Sequence, residues 1–524
     1  MRQIRKVETA LTVRKLTVSL APTIVAALGL ALLSWGLLTL DAAGTGVNAL
    51  RTEVDGTPVT LFSPANVEAP LPTVLISHGF AGSQQLMRSF ALSLARRGYL
   101  AVTFDYLGHG RHPLPLSGDV TRVEGATQKL MEQTGRIADF ILARPEASGE
   151  LAVLGHSMAS DVVVRYANSD PRVAATVAVS MFSTAVSDSS PRNLLVIVGG
   201  LEGFLKREAL RVLSLVTDSP QPGMTFGDLS DGTARRVAIA EGVEHVGVLY
   251  SGTALAESAS WLDAVFDKVS DEGVALRGPA IVAMLLGLAL LAWPLSRALP
   301  RVASPPRGAS LPWPELLPAA LVPAIATPLL LVAFPADFMG VLVGGYLAVH
   351  FLVYGLLSAL MMGWLARRRG RAPRPTPLPW ARFAAATAAA TLYLAGVFAL
   401  VLDNTVTSYA VTATRAPLVV ATLVGTLAFF LADEWMAHGE RTARGGHLFT
   451  RFCFLLSLGL AVALSFEELF FLLIIAAIIV IYFLVYGLFS RWVYSATGHP
   501  AVGAVANAVS FAWALGAVFP FLEG

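Results

Sequence analysis

The residues at 155–159, Gly-His-Ser-Met-Ala, have the residue types of a sharp turn that exposes a serine hydroxyl. They follow an apolar stretch that ends at Leu154 and precede a stretch with helical character. A strand that turns at once into a helix needs small residues two places before and two places after the serine. Gly155 and Ala159 meet that demand, so the pattern predicts that Ser157 is a nucleophile at the edge of a sheet.

A serine hydroxyl attacks a carbonyl carbon efficiently only when a base takes its proton, so a histidine and an acid should accompany it. His245 follows the last predicted strand of its domain and precedes the final helix there, which is where the base is expected. Glu202 follows the preceding predicted strand and is the candidate for the acid that orients the histidine. Asp188, which lies one strand earlier, is the alternative acid.

Backbone N–H groups near the serine can stabilise the negative charge that develops on a carbonyl oxygen during acyl transfer. The predicted pair is the amide of Met158, next after the serine, and the amide of Phe80, in a His-Gly-Phe turn. The other histidines nearby, His78, His109 and His156, lie in tight turns, so the sequence favours structural roles for them.

Short apolar stretches that alternate with amphipathic ones predict an α/β domain at residues 47–272. The predicted strands are 71–77, 99–104, 150–154, 173–180, 193–198 and 235–240. The predicted helices are 84–97, 122–143, 158–168 and 254–269. Because the helices connect successive strands, most strands should be parallel. An antiparallel hairpin is predicted at 52–62, around Asp55-Gly56.

Composition shows that much of the remaining chain faces lipid. Of 524 residues, 55% are hydrophobic and only 14% are charged, whereas soluble domains carry about 25% charged residues. The net charge of +2 comes without a dense basic block, which argues against a nucleic-acid partner. Cys453 is the single cysteine, so a disulfide within the chain is excluded and a cysteine-based metal site is not expected.

The N-terminal region has the pattern of a membrane anchor. Residues 1–15 are basic, and the apolar run at 16–40 is long enough to cross a hydrocarbon layer of ~30 Å. Because the apolar core of a signal peptide is shorter, the run is predicted to be an uncleaved transmembrane helix. The small residues at 42–44 leave cleavage open as the alternative.

Residues 277–524 are predicted to form an all-α membrane domain with eight further spans. These lie near 279–296, 312–334, 339–365, 381–402, 416–437, 449–465, 467–490 and 500–521. Their ionisable residues are few: His350 is predicted to be packed and hydrogen-bonded, and Asp433 and Glu434 to lie nearer the cytoplasmic interface than the membrane core. An ion-coupled transporter would need more buried polar groups.

Charges in the loops predict the orientation of the spans, since Lys and Arg favour the cytoplasmic side. The basic loop residues are Arg297, Arg301, Arg307, Arg367, Arg368, Arg369, Arg371, Arg374, Arg441, Arg444, Arg451 and Arg491. The opposite loops carry Asp337, Asp403, Glu467 and Glu468, with Arg415 as the basic exception. This alternation predicts a multi-pass protein of the cytoplasmic membrane, with a cytoplasmic N-terminus and the α/β domain outside. The high content of Ala, Arg and Gly suggests a bacterial origin.

Residues 47–272 together resemble the α/β-hydrolase family, in particular its dienelactone-hydrolase-like and lipase-like bacterial members. The resemblance is carried by the motifs at 78–80, 105–110, 155–159, 199–202 and 244–245. It implies a serine hydrolase that forms an acyl-enzyme on Ser157, His245 and Glu202 and needs no metal or organic cofactor. The glutamate, where aspartate is commoner, and Ala159, where glycine is commoner, depart from the family pattern.

The segment at 181–192, where lipases often insert a lid, is short. We hypothesise that the outer face of the membrane domain, or the membrane surface, caps the site and that the substrate is an acyl ester that partitions into the bilayer. The same acyl-enzyme would also serve acyl transfer to an acceptor other than water, or cleavage of an amide or thioester. A further alternative is a ligand-binding domain without turnover on a transporter or scaffold.

Overall fold

The computed structural model describes residues 2–66, 70–120, 122–333, 339–341, 343–370 and 377–523. Asp337, Arg371 and Arg374, which were used to predict the orientation of the spans, lie outside these residues. The side chains of residues 2–19 are also outside the description, so the basic N-terminal segment is described as backbone alone.

The α/β domain is built on one sheet of nine strands among the described residues. The strands are β1 (Val47–Val54), β2 (Thr57–Pro64), β3 (Leu71–Ser77), β4 (Leu100–Phe104), β5 (Ala147–His156), β6 (Val173–Val179), β7 (Leu194–Gly199), β8 (Thr225–Phe226) and β9 (Arg235–Ala240). Their order in the sheet is β1-β2-β4-β3-β5-β6-β7-β9-β8. The strands from β4 to β9 in this order are parallel, and β1, β2 and β8 are antiparallel to their neighbours. The predicted α/β sheet and hairpin are therefore confirmed, and β8 is the strand that the sequence did not predict.

Helices cover both faces of the sheet, which explains why its central strands are apolar throughout. In β3, Val74 and Ile76 pack into the core on one face, whereas Leu75 packs into the core on the other. The helices of this domain are α2 (Arg88–Arg96), α3 (Gln128–Leu142), α4 (Met158–Ser169), α5 (Gly203–Leu213) and α6 (Gly252–Val265). They follow α1 (Arg2–Ala42), whose apolar part is Leu20–Ala42.

The rest of the chain is helical. Its helices are α7 (Gly278–Ser296), α8 (Trp313–Leu331), α9 (Gly344–Arg368), α10 (Trp380–Thr391), α11 (Phe398–Thr405), α12 (Ala416–Ala437), α13 (Gly446–Leu464), α14 (Phe466–Leu469), α15 (Phe471–Thr497) and α16 (Pro500–Val518). A π-helical segment, Leu392–Val397, joins α10 to α11. With α1, the described residues contain nine helical segments long and apolar enough to cross a membrane, so this is a multi-pass membrane protein.

Small residues bring the apolar helices close together, as is common between helices in membranes. The anchor α1 packs along α7, where a Cβ on Gly287 would lie 2.6 Å from the backbone nitrogen of Leu33. In the same way, α9 and α12 meet at Gly425, where a Cβ would lie 2.1 Å from the carbonyl oxygen of Ala348. The anchor is therefore part of the packed membrane domain.

Several buried polar side chains of the membrane domain have partners. His350 Nε2 lies 3.0 Å from Ser457 Oγ, in agreement with the packed, hydrogen-bonded histidine expected there. Arg451 Nη2 donates to Glu434 Oε1 at 2.6 Å, and its Nε lies 3.6 Å from Asp433 Oδ2. The assignment of Arg451 to a basic loop was wrong, because α13 begins at Gly446 and buries this guanidinium against the acids of α12.

One end of the membrane domain contacts the α/β domain. Asp403, in the last turn of α11, pairs with Arg111 in the loop after β4. Arg415, the basic exception among the acidic loops, is buried and donates to the carbonyl oxygen of Gly108 at 2.7 Å. The Arg415 guanidinium therefore stabilises the contact between the two domains.

The last predicted span was too long at its C-terminal end. Helix α16 ends at Val518, and the chain then leaves the helix and pairs with two loops. The N–H of Phe521 donates to Gly108 at 2.9 Å, and the N–H of Leu522 donates to Gly340 at 2.6 Å. The segment at 339–341, which was predicted to begin a span, forms this contact instead.

Candidate active site

Ser157 lies in the turn between β5 and α4, at the carboxyl edge of the sheet. Its φ of 56° and ψ of −120° fall outside the helical and extended regions, so the turn holds the backbone in a strained conformation. A Cβ at Gly155 would lie 2.4 Å from the carbonyl oxygen of Ala159. The small residues that flank the serine are thus required by the close approach of strand and helix.

This close approach predicts that Gly155→Ala destabilises the protein. The added methyl group has to displace the first turn of α4, and overpacking of this kind costs about 1–3 kcal/mol. Thermal unfolding of the purified protein measures the change. Gly273→Ala is the matched control, because a Cβ at Gly273 meets no atom within 4 Å among the described residues. Equal melting temperatures for the two variants would contradict the steric account of the turn.

His245 and Glu202 lie next to Ser157 in a chain of hydrogen bonds. His245 Nε2 lies 2.8 Å from Ser157 Oγ, and His245 Nδ1 lies 2.6 Å from Glu202 Oε1. An imidazole whose Nδ1–H donates to the carboxylate leaves Nε2 free to accept the serine proton. The structure thus brings together the three side chains that were predicted from the sequence.

Glu202 is itself held in place from the other side. Its Oε2 accepts hydrogen bonds from Ser180 Oγ at 2.7 Å and from the backbone N–H of Gly199 at 2.6 Å. Burial opposes ionisation, but the hydrogen bonds from His245, Ser180 and Gly199 outweigh it and hold the pKa of the Glu202 carboxyl below its ordinary value. Asp188, the alternative acid, is exposed and accepts a hydrogen bond from Ser189.

His156 supports the base through its backbone. His156 Nε2 lies 2.9 Å from the carbonyl oxygen of His245, and the two rings are 4.9 Å apart. Burial and the neighbouring His245 lower the pKa of His156 to about 3, so its imidazole is neutral and Nε2–H can donate to that carbonyl. The sequence predicted a structural role for His156 but not its contact with His245, and it did not indicate the bond from Ser180 to Glu202. In both pairs the two residues lie far apart in the sequence.

The other two histidines have structural partners. His78 is buried; its Nδ1 lies 2.8 Å from the carbonyl oxygen of Gly79, and its Nε2 accepts the N–H of Tyr106 at 3.1 Å. His109 Nδ1 lies 2.8 Å from the carbonyl oxygen of Leu107. Burial lowers the pKa of both imidazoles. The structural roles expected for His78 and His109 agree with these contacts.

The turn that carries the predicted oxyanion donors lies against the nucleophile. A Cβ at Gly79 would approach Ser157 Cβ to 2.9 Å, so the backbone before Phe80 passes directly beside the serine. On the other side of the serine, Met158 begins α4, and the first N–H groups of a helix have no partner within it. The two predicted amides therefore belong to the segments that flank Ser157.

Exposed apolar side chains lie beside this chain of hydrogen bonds. Leu201 precedes the acid, Val246 follows the base, and Phe204 lies in the first turn of α5. The ring of Phe204 lies 5.6 Å from that of Phe182, and both rings are more than half exposed. We call Phe182, Leu201, Phe204 and Val246 the apolar rim. The loops after β3 and β4 contact the membrane domain instead, through Ser83 to Thr407 and Gly108 to Arg415.

Comparison with known proteins identifies relatives of the α/β domain. Residues 68–217 match the sequence model of the family described as serine aminopeptidase, S33. No curated protein matches the chain.

Solved structures that match part of the chain include three that are described as hydrolases. A bacterial membrane phospholipase A, described as a virulence factor, shares 14% identity over 51% of this chain and 99% of its own, with a TM-score of 0.31. A protein from Klebsiella pneumoniae assigned as a dienelactone hydrolase shares 16% identity over 43% and 99%, with a TM-score of 0.31. A soluble variant of monoglyceride lipase from Saccharomyces cerevisiae shares 11% identity over 43% and 97%, with a TM-score of 0.32.

Proposed function

Because the domain that holds this site belongs to the α/β-hydrolase family, we propose that the protein is a membrane-anchored serine hydrolase that cleaves carboxylic esters. The observation that carries the proposal is the continuous chain of hydrogen bonds from Ser157 through His245 to Glu202. In this chain the serine is the nucleophile, the histidine is the general base, and the glutamate orients the base and stabilises its charged form.

The reaction proceeds through an acyl-enzyme. Ser157 Oγ attacks the ester carbonyl carbon while His245 Nε2 takes its proton, and the amides of Phe80 and Met158 donate to the oxyanion that forms. The tetrahedral intermediate collapses when the imidazolium gives its proton to the departing alkoxide. Water then attacks the acyl-serine with His245 as base, which releases the carboxylic acid and regenerates the hydroxyl. The protein's own residues thus supply the nucleophile, the base and the oxyanion donors.

The substrate we propose is the acyl ester of a membrane lipid. The apolar rim, next to Glu202 and His245, leaves aromatic and aliphatic surface exposed. Removal of such surface from water is favourable by about 25 cal/mol per Å². A long acyl chain is the kind of group that would cover it. The loops on the other side of the site contact the membrane domain, which would bring the site within reach of the bilayer surface.

The orientation we propose puts the α/β domain outside the cytoplasm. Arg301 and Arg307 lie in the loop between α7 and α8 and donate to the carbonyl oxygens of Ser495 and Pro377. This loop is at the end of the membrane domain opposite Asp403 and Arg415. Since basic loops favour the cytoplasmic side, the N-terminus would be cytoplasmic and the α/β domain extracytoplasmic.

A series of p-nitrophenyl esters of increasing acyl length tests the substrate, with the full-length protein in detergent or nanodiscs. We expect Phe204→Ser to lower kcat/KM for long acyl chains by about tenfold or more, because the loss of one aromatic contact is worth roughly 1.5–3 kcal/mol. Acetate esters should be hydrolysed as before.

The control is Leu215→Ser, which removes a partly exposed apolar side chain just beyond the other end of the same helix. This variant should match wild type at every chain length. An equal loss for short and long chains in Phe204→Ser would contradict the role of the apolar rim.

Amide cleavage is the second candidate, because the matching family is described as serine aminopeptidases. The same acyl-enzyme forms from an amide, with an amine in place of the alcohol as leaving group. Aminoacyl p-nitroanilides distinguish the two, since faster turnover of these than of esters would favour the peptidase.

A further inference from the structure

A cavity of about 490 Å³ lies where the anchor helix leaves the apolar layer, away from the serine. Segments from four parts of the chain surround it: the end of α1, the start of α2, the residue before α7 and the end of α11. Its wall includes Leu37, Leu40, Asp41, Arg88, Arg277 and Thr405. The cavity therefore lies at the junction of the α/β domain, the membrane helices and the surrounding lipid.

Arg277 is buried in this wall, with only 2% of the residue exposed. Its Nη2 donates to the carbonyl oxygen of Thr405 at 2.6 Å, but Nε and Nη1 have no hydrogen-bond partner among the described residues. A guanidinium presents five N–H donors, and leaving them unsatisfied in a buried position is costly. The site thus holds donors that lack an acceptor.

The arginines of the cavity wall outnumber its one carboxylate, that of Asp41. Neither Arg88 nor Arg277 forms an ion pair with a described acidic residue, whereas nearby Arg111 pairs with Asp403. Burial and the charge of Arg88 lower the pKa of Arg277 to about 10. Burial and the charge of Arg51 lower the pKa of Arg88. Arg51 and Arg88 line an adjoining cavity of about 440 Å³, so three arginines of like charge face one region.

The cavity lies at the end of the apolar span of α1, and this position indicates the source of an anion that could bind the arginines. Leu37 and Leu40 belong to the last turns of the apolar span of α1, and Asp41 follows at its end. Headgroup phosphates lie at this boundary, just beyond the hydrocarbon layer. Arginine binds phosphate oxygens through pairs of N–H donors. The carboxylate of Asp41 would suit a headgroup that also carries an ammonium group.

We propose that this cavity binds the phosphate group of a phospholipid headgroup, held by Arg88 and Arg277, with the acyl chains lying along Leu37 and Leu40. Free phosphate could make the same contacts with the arginines, but it would gain nothing from the apolar wall. The site is distinct from Ser157 and does not depend on turnover at that residue.

Native mass spectrometry of delipidated full-length protein in detergent tests the proposal. With dioleoyl phosphatidylethanolamine we expect a tight one-lipid adduct. With dioleoylglycerol, which lacks the phosphate and could occupy only the acyl-binding surface near Ser157, we expect a much weaker one. Arg88→Gln should weaken the phospholipid adduct about tenfold, and the double variant with Arg277→Gln should weaken it further, because each lost charge-assisted hydrogen bond is worth about that factor or more.

Arg88→Gln is informative without the second substitution, because Arg88 loses only a long, exposed hydrogen bond to the carbonyl oxygen of Asn404 at 3.4 Å. Arg277, in contrast, supports the junction through its bond to Thr405 at 2.6 Å. Arg144→Gln is the control, because this arginine pairs with Glu146 at the far end of α3. Arg144→Gln and Ser157→Ala should both bind the lipid as wild type does. Unchanged binding in a folded double variant would overturn the site, and displacement of the lipid by millimolar inorganic phosphate would overturn the assignment to a headgroup.

Discussion

Replacement of Ser157 by alanine is expected to reduce ester hydrolysis by about 10⁴-fold or more and to leave the fold intact. The substitution removes the hydroxyl oxygen that lies 2.8 Å from His245 Nε2 and keeps the Cβ of the turn. Without that oxygen no acyl-enzyme forms, so the remaining rate comes from oriented water and the oxyanion donors alone. Initial rates with p-nitrophenyl esters measure the loss.

A fluorophosphonate probe separates catalysis from simple ligand binding at this site. The probe should label wild type and fail to label Ser157→Ala, because it reacts with an activated serine. Ser214→Ala, which removes an exposed hydroxyl next to α5, should label fully. Folded wild-type protein that takes no label would favour the ligand-binding domain without turnover.

Glu202→Gln should lower kcat by about 10³–10⁴-fold, since it reverses the hydrogen bond that orients the base. Ser180 Oγ and the N–H of Gly199 both donate to Oε2, so a glutamine there would turn its carbonyl oxygen towards them. Its NH₂ group would then face His245 Nδ1 and force that nitrogen to accept. The ring proton would move to Nε2, which could no longer take the proton of Ser157.

Asp188→Asn is the matched control for this prediction. It makes the same change from carboxylate to amide at the other acid considered from the sequence, which is exposed. Steady-state kinetics of Glu202→Gln and Asp188→Asn show which of the two carboxylates orients His245. A large loss of kcat in Asp188→Asn, with Glu202→Gln close to wild type, would show that the acid had been assigned wrongly.

Most elements of the fold were predictable because their signals are local. The strands at Leu71–Ser77 and Arg235–Ala240 have the predicted bounds, since buried parallel strands are short, continuous apolar runs. The spans α7 and α12 lie within a residue of their predicted positions, because crossing a membrane requires a fixed apolar length. The two-residue strand β8 was missed, since so short a segment carries no periodicity.

Errors arose where distant contacts decide the local structure. Phe521 continued an apolar run and was predicted to be helical, but it pairs with Gly108, which lies more than 400 residues earlier. Arg451 was counted among the basic loop residues that indicate the cytoplasmic side, yet it lies inside α13, where Glu434 of the neighbouring helix compensates its charge. Neither partner can be identified from the sequence around the residue concerned.

The sequence alone determined the α/β class, the approximate spans and the turn at Ser157, because periodicity, apolar length and the steric demands of a tight turn all act within a few residues. It also indicated His245 and Glu202, through their positions after successive strands. Only the tertiary structure decided what surrounds them: Ser180 and Gly199 on the acid and His156 on the base. It also decided that Arg277 is buried at the membrane junction with two nitrogens that lack an acceptor. These contacts join residues far apart in the chain, so they depend on how sheet and helices pack.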